Sequence, residues 1–272
     1  MQSLVSQTYG EIEYLLVDGG STDRTLEIAR SFGDFVRIYE RPGASQARAV
    51  NEGFALSHGE YFGFLNADDT LEKHAIAAAV DALVGHSEVA YVYGKAMHVD
   101  AGSRPIAPYP TRPFSLEALQ AQCIICQPAT LLRSSAFAAV GGIDESWDSV
   151  LDYDLWIRLT RADLFPMQID EFLAHSRMHG DSKTLRGRLR MFEEICLLMR
   201  RHYDYVPFSW IHAYAGYLID QKDQFFELPS GSPQRSLKTL TLGLHENKHR
   251  VWRFLKEFTR ETWRLWATKR HS

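Results

Sequence analysis

The sequence predicts an α/β fold, a mostly parallel sheet flanked by helices, with a helical extension at the C-terminal end. Three observations carry that expectation. Through the first two thirds of the 272 residues, short apolar strand patterns alternate with helical patterns of roughly 10 to 15 residues, the rhythm of βαβ units. At residues 61–65 an unbroken apolar run, Tyr-Phe-Gly-Phe-Leu, stops at Asn66 and is followed at once by the adjacent carboxylates Asp68 and Asp69. An aromatic-rich run bounded in this way reads as a buried strand, and acids at its carboxyl end sit where open α/β sheets bind ligands. Beyond residue 183 the punctuation disappears and long helical patterns take over.

Taken in order, residues 1–9 read as the end of a helix and residues 11–17 as a strand that ends in Asp18-Gly-Gly-Ser-Thr-Asp23. A helix over 24–31, a strand over 35–39, a Pro42-Gly43 turn and a helix over 45–56 lead to the strand at 61–65. A helix over 72–84 and a strand over 89–98 follow, then a stretch at 101–113 that four prolines mark as loop. A short helix at 115–120, a strand at 127–132 and a helix at 134–140 stopping at Gly141-Gly142 come next. A helix over 152–162, a strand over 165–169 and an extended segment over 172–179 complete the α/β part.

Bulk properties narrow the function. A formal net charge of −4 gives no support for a nucleic-acid partner. No apolar run approaches the roughly 20 residues of a membrane span, and no signal-peptide pattern precedes the first charged residues. The expected protein is soluble or peripheral, and cytoplasmic. Cys123 and Cys126 have redox-motif spacing, but Ile-Ile between them, with only Cys196 besides, reads as structural thiols in a reducing compartment.

Four features could carry chemistry. Adjacent carboxylates such as Asp68 and Asp69 repel unless a cation or hydrogen-bond donors share the site, and Mg²⁺ or Mn²⁺ carrying phosphate oxygens is one solution. A helix N-cap pair is the other. The glycines after Asp18 let backbone approach a ligand at a strand-to-helix turn, although a plain turn would look the same. Asp152, in the first turn of its helix, is a candidate functional acid or simply a partner of the helix dipole. His175 and His179 have the spacing of a helical zinc pair, but Gly180 and the mixed pattern around them favour a loop.

Together these stretches resemble one family. Residues 14–25 (YLLVDGGSTDRT), 49–69 (AVNEGFALSHGEYFGFLNADD), 127–144 (QPATLLRSSAFAAVGGID), 152–159 (DYDLWIRL) and 177–182 (RMHGDS) are similar, in that order, to the motifs of family 2 glycosyltransferases. The resemblance spans roughly residues 1–185. It implies the GT-A fold in a domain 1–185, a helical extension 186–272, a nucleotide-diphospho-sugar donor of UDP or dTDP type, and inverting transfer to a saccharide or lipid-linked acceptor in surface polysaccharide or glycolipid assembly. It implies roles as well. Asp18, Gly19 and Gln46 would line the nucleotide pocket, Asp68 would face the ribose, Asp69 and His179 would hold the Mg²⁺ or Mn²⁺, and Asp152 would be the general base. A nucleotidyltransferase on a similar sheet and a non-catalytic binding module are the rival readings.

Three departures from the family pattern stand out. Gly19 occupies a position that often carries a second acid, which leaves the nucleotide base open. Leu151 precedes Asp152 where the family usually has Glu. The resemblance also implies a further strand ahead of Met1, supplied by about 25 upstream residues of ordinary βα length, without which neighbouring strands keep unpaired ladder groups. At the other end, residues 248–270 form a basic, Trp-rich amphipathic helix. It suits either the surface of a membrane, including the inner face of the plasma membrane, or packing on the protein itself.

Overall fold

The computed structural model describes residues 1–180, 183–221 and 232–268. The chain begins with a short helix α1 (Gln2–Val5), then β1 (Tyr14–Asp18), α2 (Thr25–Arg30), β2 (Val36–Glu40) and α3 (Gln46–Leu56). Next come two short strands, β3 (Tyr61–Phe62) and β4 (Thr70–Leu71), then α4 (Ala75–Gly85) and the long strand β5 (Tyr91–Val99). β6 (Pro105–Pro108), α5 (Leu116–Ala121), β7 (Thr130–Arg133), α6 (Ser134–Ala139), α7 (Leu151–Arg161) and β8 (Pro166–Arg177) complete the α/β part. The remainder is helical: α8 (Lys183–Arg186), α9 (Arg188–Tyr203), α10 (Phe208–Asp220), α11 (Pro233–Glu246) and α12 (Val251–Thr268).

The α/β expectation holds, but the sheet is mixed rather than mostly parallel. Among the described residues β1 with β2 and β5 with β8 run parallel, whereas β3 with β7, β4 with β8, β5 with β6 and β5 with β7 run antiparallel. An apolar run buried on both faces looks alike in either sense, so periodicity could not choose between them. The strand at 61–65 is also shorter and less buried than expected: only Tyr61 and Phe62 pair, and none of the five residues is fully buried. The centre of the larger sheet is β5, whose Tyr91, Val92 and Tyr93 are wholly inaccessible. The two segments expected at 165–169 and 172–179 join into the single strand β8, whose register against β5 shifts near Lys95. The prolines of 101–113 do not prevent β6, which lies at the edge of the sheet where a missing N–H is tolerated. β1 and β2 form a separate two-stranded sheet, and β1 and β3 do not pair with each other among the described residues.

Aromatic packing fixes what the short strand β3 cannot. Phe62 of β3 meets Phe54 of α3 at 5.0 Å and Phe137 of α6 at 4.7 Å, and Phe54 and Phe137 lie 4.6 Å apart. Each such pair adds about 0.5–1.5 kcal/mol beyond the area it buries. The triad pins β3 and the chain leaving it between two helices. Behind them, the side-chain amide of Asn51 on α3 pairs with backbone at Ile143, donating to its carbonyl at 2.9 Å and accepting from its N–H at 2.8 Å. This holds the turn after α6 in place. Against β5 itself, Trp156 of α7 stacks on Tyr91 at 5.3 Å and 17°.

The chain divides into two compact units, one of residues 1–114 and 124–179 and one of residues 115–123 and 180–272. In the second, α11 and α12 approach closely at Gly243, where an added Cβ would lie 1.9 Å from the ring of the fully buried Phe254. Gly243→Ala is expected to destabilise the protein by about 1–3 kcal/mol through overpacking. Urea denaturation followed by circular dichroism measures it, and an unchanged midpoint would show that the ring has room to move.

Candidate functional site

The site grows from the end of β3. After Phe62 the chain leaves the sheet, and at Asn66–Asp69 it turns, with the Asp69 N–H donating to the Asn66 carbonyl at 3.2 Å. Two side chains from other elements, Gln46 and Gln127, hold that turn through its own Asn66. Gln46, the first residue of α3, donates to Asn66 Oδ1 at 2.6 Å. Asn66 Nδ2 in turn donates to Asp69 Oδ2 at 3.1 Å and to Gln127 Oε1 at 3.3 Å. Gln127, buried at the start of the turn that leads into β7, donates to the Phe64 carbonyl. The result is an amide network with one carboxylate at its end.

The last residue of β8 closes the network. Arg177 donates its backbone N–H to Asp69 Oδ1 at 2.9 Å and its Nε–H to the Asp68 carbonyl at 2.9 Å. Its Nη1 also donates to the Asp100 carbonyl at 2.9 Å and to Ser103 Oγ at 3.0 Å, tying the β5–β6 connection to the carboxylate turn. Two residues on, His179 Nε2 lies 3.3 Å from Asp68 Oδ2. His175 goes elsewhere, to Glu72 at 3.3 Å, so the two histidines serve different carboxylates and do not converge as a zinc pair. Asp181 and Ser182 of the last motif lie outside the described residues.

The adjacent acids are therefore not equivalent. Asp69 is 7 % exposed, and burial, reinforced by the neighbouring Asp68 charge, pushes its carboxyl up to about 6 against the pull of Arg177 and Asn66. Asp68 is half-buried and faces His179. A desolvated carboxylate held beside a second one is a site with unmet demand for positive charge.

Asp18 ends β1 in a second feature. Its buried carboxylate accepts from the Gly20 and Ser21 N–H groups at 3.0 and 2.9 Å and from the Ser21 hydroxyl, and these donors, the hydroxyl foremost, hold it below the usual carboxylate range. Gly19 is explained locally: a Cβ there would lie 2.9 Å from the Ala44 carbonyl oxygen. With Gly20 at φ +110°, the turn needs both glycines. The Gly43 N–H donates to the Gly19 carbonyl at 2.8 Å, so this turn rests on the loop that leads through Ser45 into Gln46. Asp18 and Gln46 are thus joined through backbone, and Gln46, Asp68, Asp69 and His179 through side chains and the carboxylate turn.

Asp152 is carried separately, half-buried in the first turn of α7. Two residues on, Asp154 is wholly buried and pairs with Arg158 at 2.5 Å, while Arg158 also caps the Val140 and Gly142 carbonyls. Asp154 is structural; of the two acids in this turn, Asp152 is the one that solvent reaches. Sequence reasoning missed Asn66, Gln127 and Arg177, although all three lie inside or beside the quoted motifs. Among the described residues no three His, Cys, Asp or Glu side chains gather as a ready metal cluster.

Comparisons with known proteins agree on one family. Residues 1–138 match the profile described as glycosyl transferase family 2. The O-antigen biosynthesis protein RfbC of Myxococcus xanthus is 33 % identical over 192 residues, covering 69 % of this chain and 15 % of that protein. Among solved structures, residues 1–349 of S. aureus TarS in complex with UDP-GlcNAc align with TM-score 0.59 at 13 % identity, covering 89 % of this chain and 76 % of that one. The mannosyltransferase PcManGT of Pyrobaculum calidifontis, in complex with GDP-Man and Mn²⁺, aligns with TM-score 0.60 at 14 % identity, covering 92 % and 81 %. The fold is that of GT-A glycosyltransferases.

Proposed function

Because the chain belongs to glycosyl transferase family 2, we propose that it moves a sugar from a nucleotide-diphospho-sugar donor to an acceptor hydroxyl with inversion. The catalytic domain in this reading is residues 1–185, with 186–272 as its helical extension. The observation that carries it is the network that fixes Asp68 and Asp69 side by side, one half-buried and one buried, in the turn between β3 and β4.

The residues fit a divalent ion in kind. Asp69 is a carboxylate whose charge is poorly compensated by the protein alone; Asp68 is its neighbour in the chain, and His179 lies 3.3 Å from Asp68. Mg²⁺ and Mn²⁺ sites commonly use one or two carboxylates and complete their shell with substrate phosphates, so a ready three-residue cluster is not required. Asp69 and His179 would hold the ion, and bound there it would offset charge on the donor's diphosphate. Asp68 would face the ribose. Asp18, with the Gly19 turn, and Gln46 would line the nucleotide pocket, and a UDP- or dTDP-linked sugar is the donor of this reading.

Asp152 supplies the proton chemistry. The acceptor oxygen forms its bond to the anomeric carbon as the bond from that carbon to the diphosphate oxygen breaks; the hydroxyl proton passes to the Asp152 carboxylate, and the electron pair leaves with the diphosphate. A direct displacement needs this one base and no carboxylate nucleophile. The likeness to an O-antigen protein supports an acceptor in surface polysaccharide or glycolipid assembly, either a saccharide or a lipid-linked one. Cysteines held in no disulfide suit work on the cytoplasmic side.

A thermal-shift screen of nucleotide sugars with and without Mn²⁺ tests the reading. A ligand held only by the folded state adds about 2.7 kcal/mol at a hundredfold excess over its dissociation constant. One sugar nucleotide is expected to raise the melting temperature, more so with Mn²⁺, and to be consumed when acceptor is added. If no sugar nucleotide shifts the transition, the proposal fails.

A further inference from the structure

Helix α12 has two faces, and its tryptophans are on the unexpected one. The inner face is used within its own unit: Phe254 is fully buried against Gly243, and Phe258 meets the edge of Phe208 at 6.1 Å. The acids are half-buried and held: Glu257 accepts from the Tyr205 hydroxyl, and Glu261 pairs with Arg260 and Arg264. Spacing alone suggests that Trp252 and Trp263 widen the packed stripe, yet they are 79 % and 72 % exposed. Eleven residues apart, they lie within about 20° of each other around the helix and about 16 Å apart along it. Between Val251 and Leu265 the exposed residues are these two indoles, the four cations Arg253, Lys256, Arg260 and Arg264, and one threonine. No acid is among them, in a chain whose net charge is −4.

We infer that this outer flank of α12 docks the protein on an anionic lipid bilayer, with Trp252 and Trp263 inserted at headgroup level and the cations on the lipid phosphates. The inference goes beyond the transfer reaction and does not depend on it. Large exposed indoles are costly to leave in water and are at home in the interfacial zone, where the ring is half in hydrocarbon and its N–H reaches polar groups. A helix lying in the interface plane sets apolar side chains beside Lys and Arg, and here the two indoles share one flank with four cations. The charge selects the partner. Even with Glu261 shared between Arg260 and Arg264, four cations in a row against the two acids Glu257 and Glu261 leave the helix net positive, which attracts an anionic leaflet and repels the same flank of a second copy. Arg253, stacked 3.8 Å over the Tyr205 ring, anchors the row to the unit beneath.

Flotation of the full chain with vesicles tests this. The protein is expected to float with phosphatidylcholine vesicles containing phosphatidylglycerol, and to stay behind with phosphatidylcholine alone. Trp252→Ser with Trp263→Ser should abolish flotation. Lys256→Gln with Arg260→Gln should weaken partitioning roughly 30-fold, at the usual contribution of a cation near an anionic surface. Because all four positions are exposed, both variants should keep the wild-type melting temperature. Three results would each overturn the inference: no flotation with anionic vesicles, flotation unaffected by both double variants, or the Trp pair proving instead to hold a dimer in sedimentation or a single-stranded RNA probe in titration.

Discussion

Replacing Asp152 with asparagine is expected to lower the turnover of sugar transfer by about 10²–10⁴-fold while leaving the affinity for the donor unchanged. Asparagine has the same shape, so the first turn of α7 and the Trp156–Tyr91 stack beneath it stay in place. What is lost is the one function an amide cannot supply, acceptance of the proton from the attacking hydroxyl. The helix loses a favourable charge at its N-terminus, worth about 0.3–1 kcal/mol, too little to unfold it. Steady-state transfer assays paired with calorimetric titration of the donor separate the two effects. Retained turnover would remove Asp152 from the role, and the wholly buried Asp154 could not replace it, since its carboxylate is committed to Arg158.

That contrast between two acids in one helix also shows what could be read before the fold was known. Both are in the first turn, and both suit the helix dipole. Only burial separates them, and burial depends on what α7 packs against. Periodicity placed most helices and strands of the α/β part, though not β4 or β6, because spacing of apolar residues is a local property. It failed where pairing decides. Tyr61 to Leu65 read as a buried central strand, yet β5 takes the centre and β3 is held mainly by Phe54 and Phe137 from two helices. Nor could spacing show which way Trp252 and Trp263 point, since an apolar stripe wider than the available partner must leave part of itself outside. The carboxylates of the site were legible as residue types. Their supports were not: Asn66 and Gln127 meet across 61 positions, and Arg177 reaches Asp69 and Asp68 across 108 and 109. An amide or a guanidinium carries no local sign of such a role.

Those supports bear directly on Asp69, where substitution by asparagine should damage activity and improve stability together. Its carboxyl is raised from the ordinary 3.8 to about 6, chiefly by burial. The folded state therefore holds this proton more tightly than the unfolded state does. The resulting stabilisation is fully present below about pH 4 and is lost as pH rises through about 6. Above that, the ionised group opposes folding by up to about 3 kcal/mol, at 1.36 kcal/mol per pH unit. An asparagine in its place carries no charge to bury, and its amide oxygen can still accept from the Arg177 N–H. Its NH2 then faces the Asn66 Nδ2 donor, and that hydrogen bond, worth about 0.5–1.5 kcal/mol, is lost. Asp69→Asn should thus be more stable than the wild type at pH 7, by about 1–2 kcal/mol after the lost Asn66 hydrogen bond, with the advantage gone towards pH 4. Denaturation curves across that range measure it. Mn²⁺ should raise the melting temperature of the wild type at pH 7 and leave the variant unmoved, because a cation favours the ionised carboxylate that the variant lacks. Transfer should fall by at least about 10²-fold, the usual cost of losing a charge-stabilising group at a reacting centre. A variant less stable than the wild type at pH 7 would mean that Asn66 and Arg177 already compensate the charge. Equal stabilisation of both proteins by Mn²⁺ would place the ion elsewhere. A site that is strained without its ligand and relaxed with it is what activity requires of a carboxylate kept this dry.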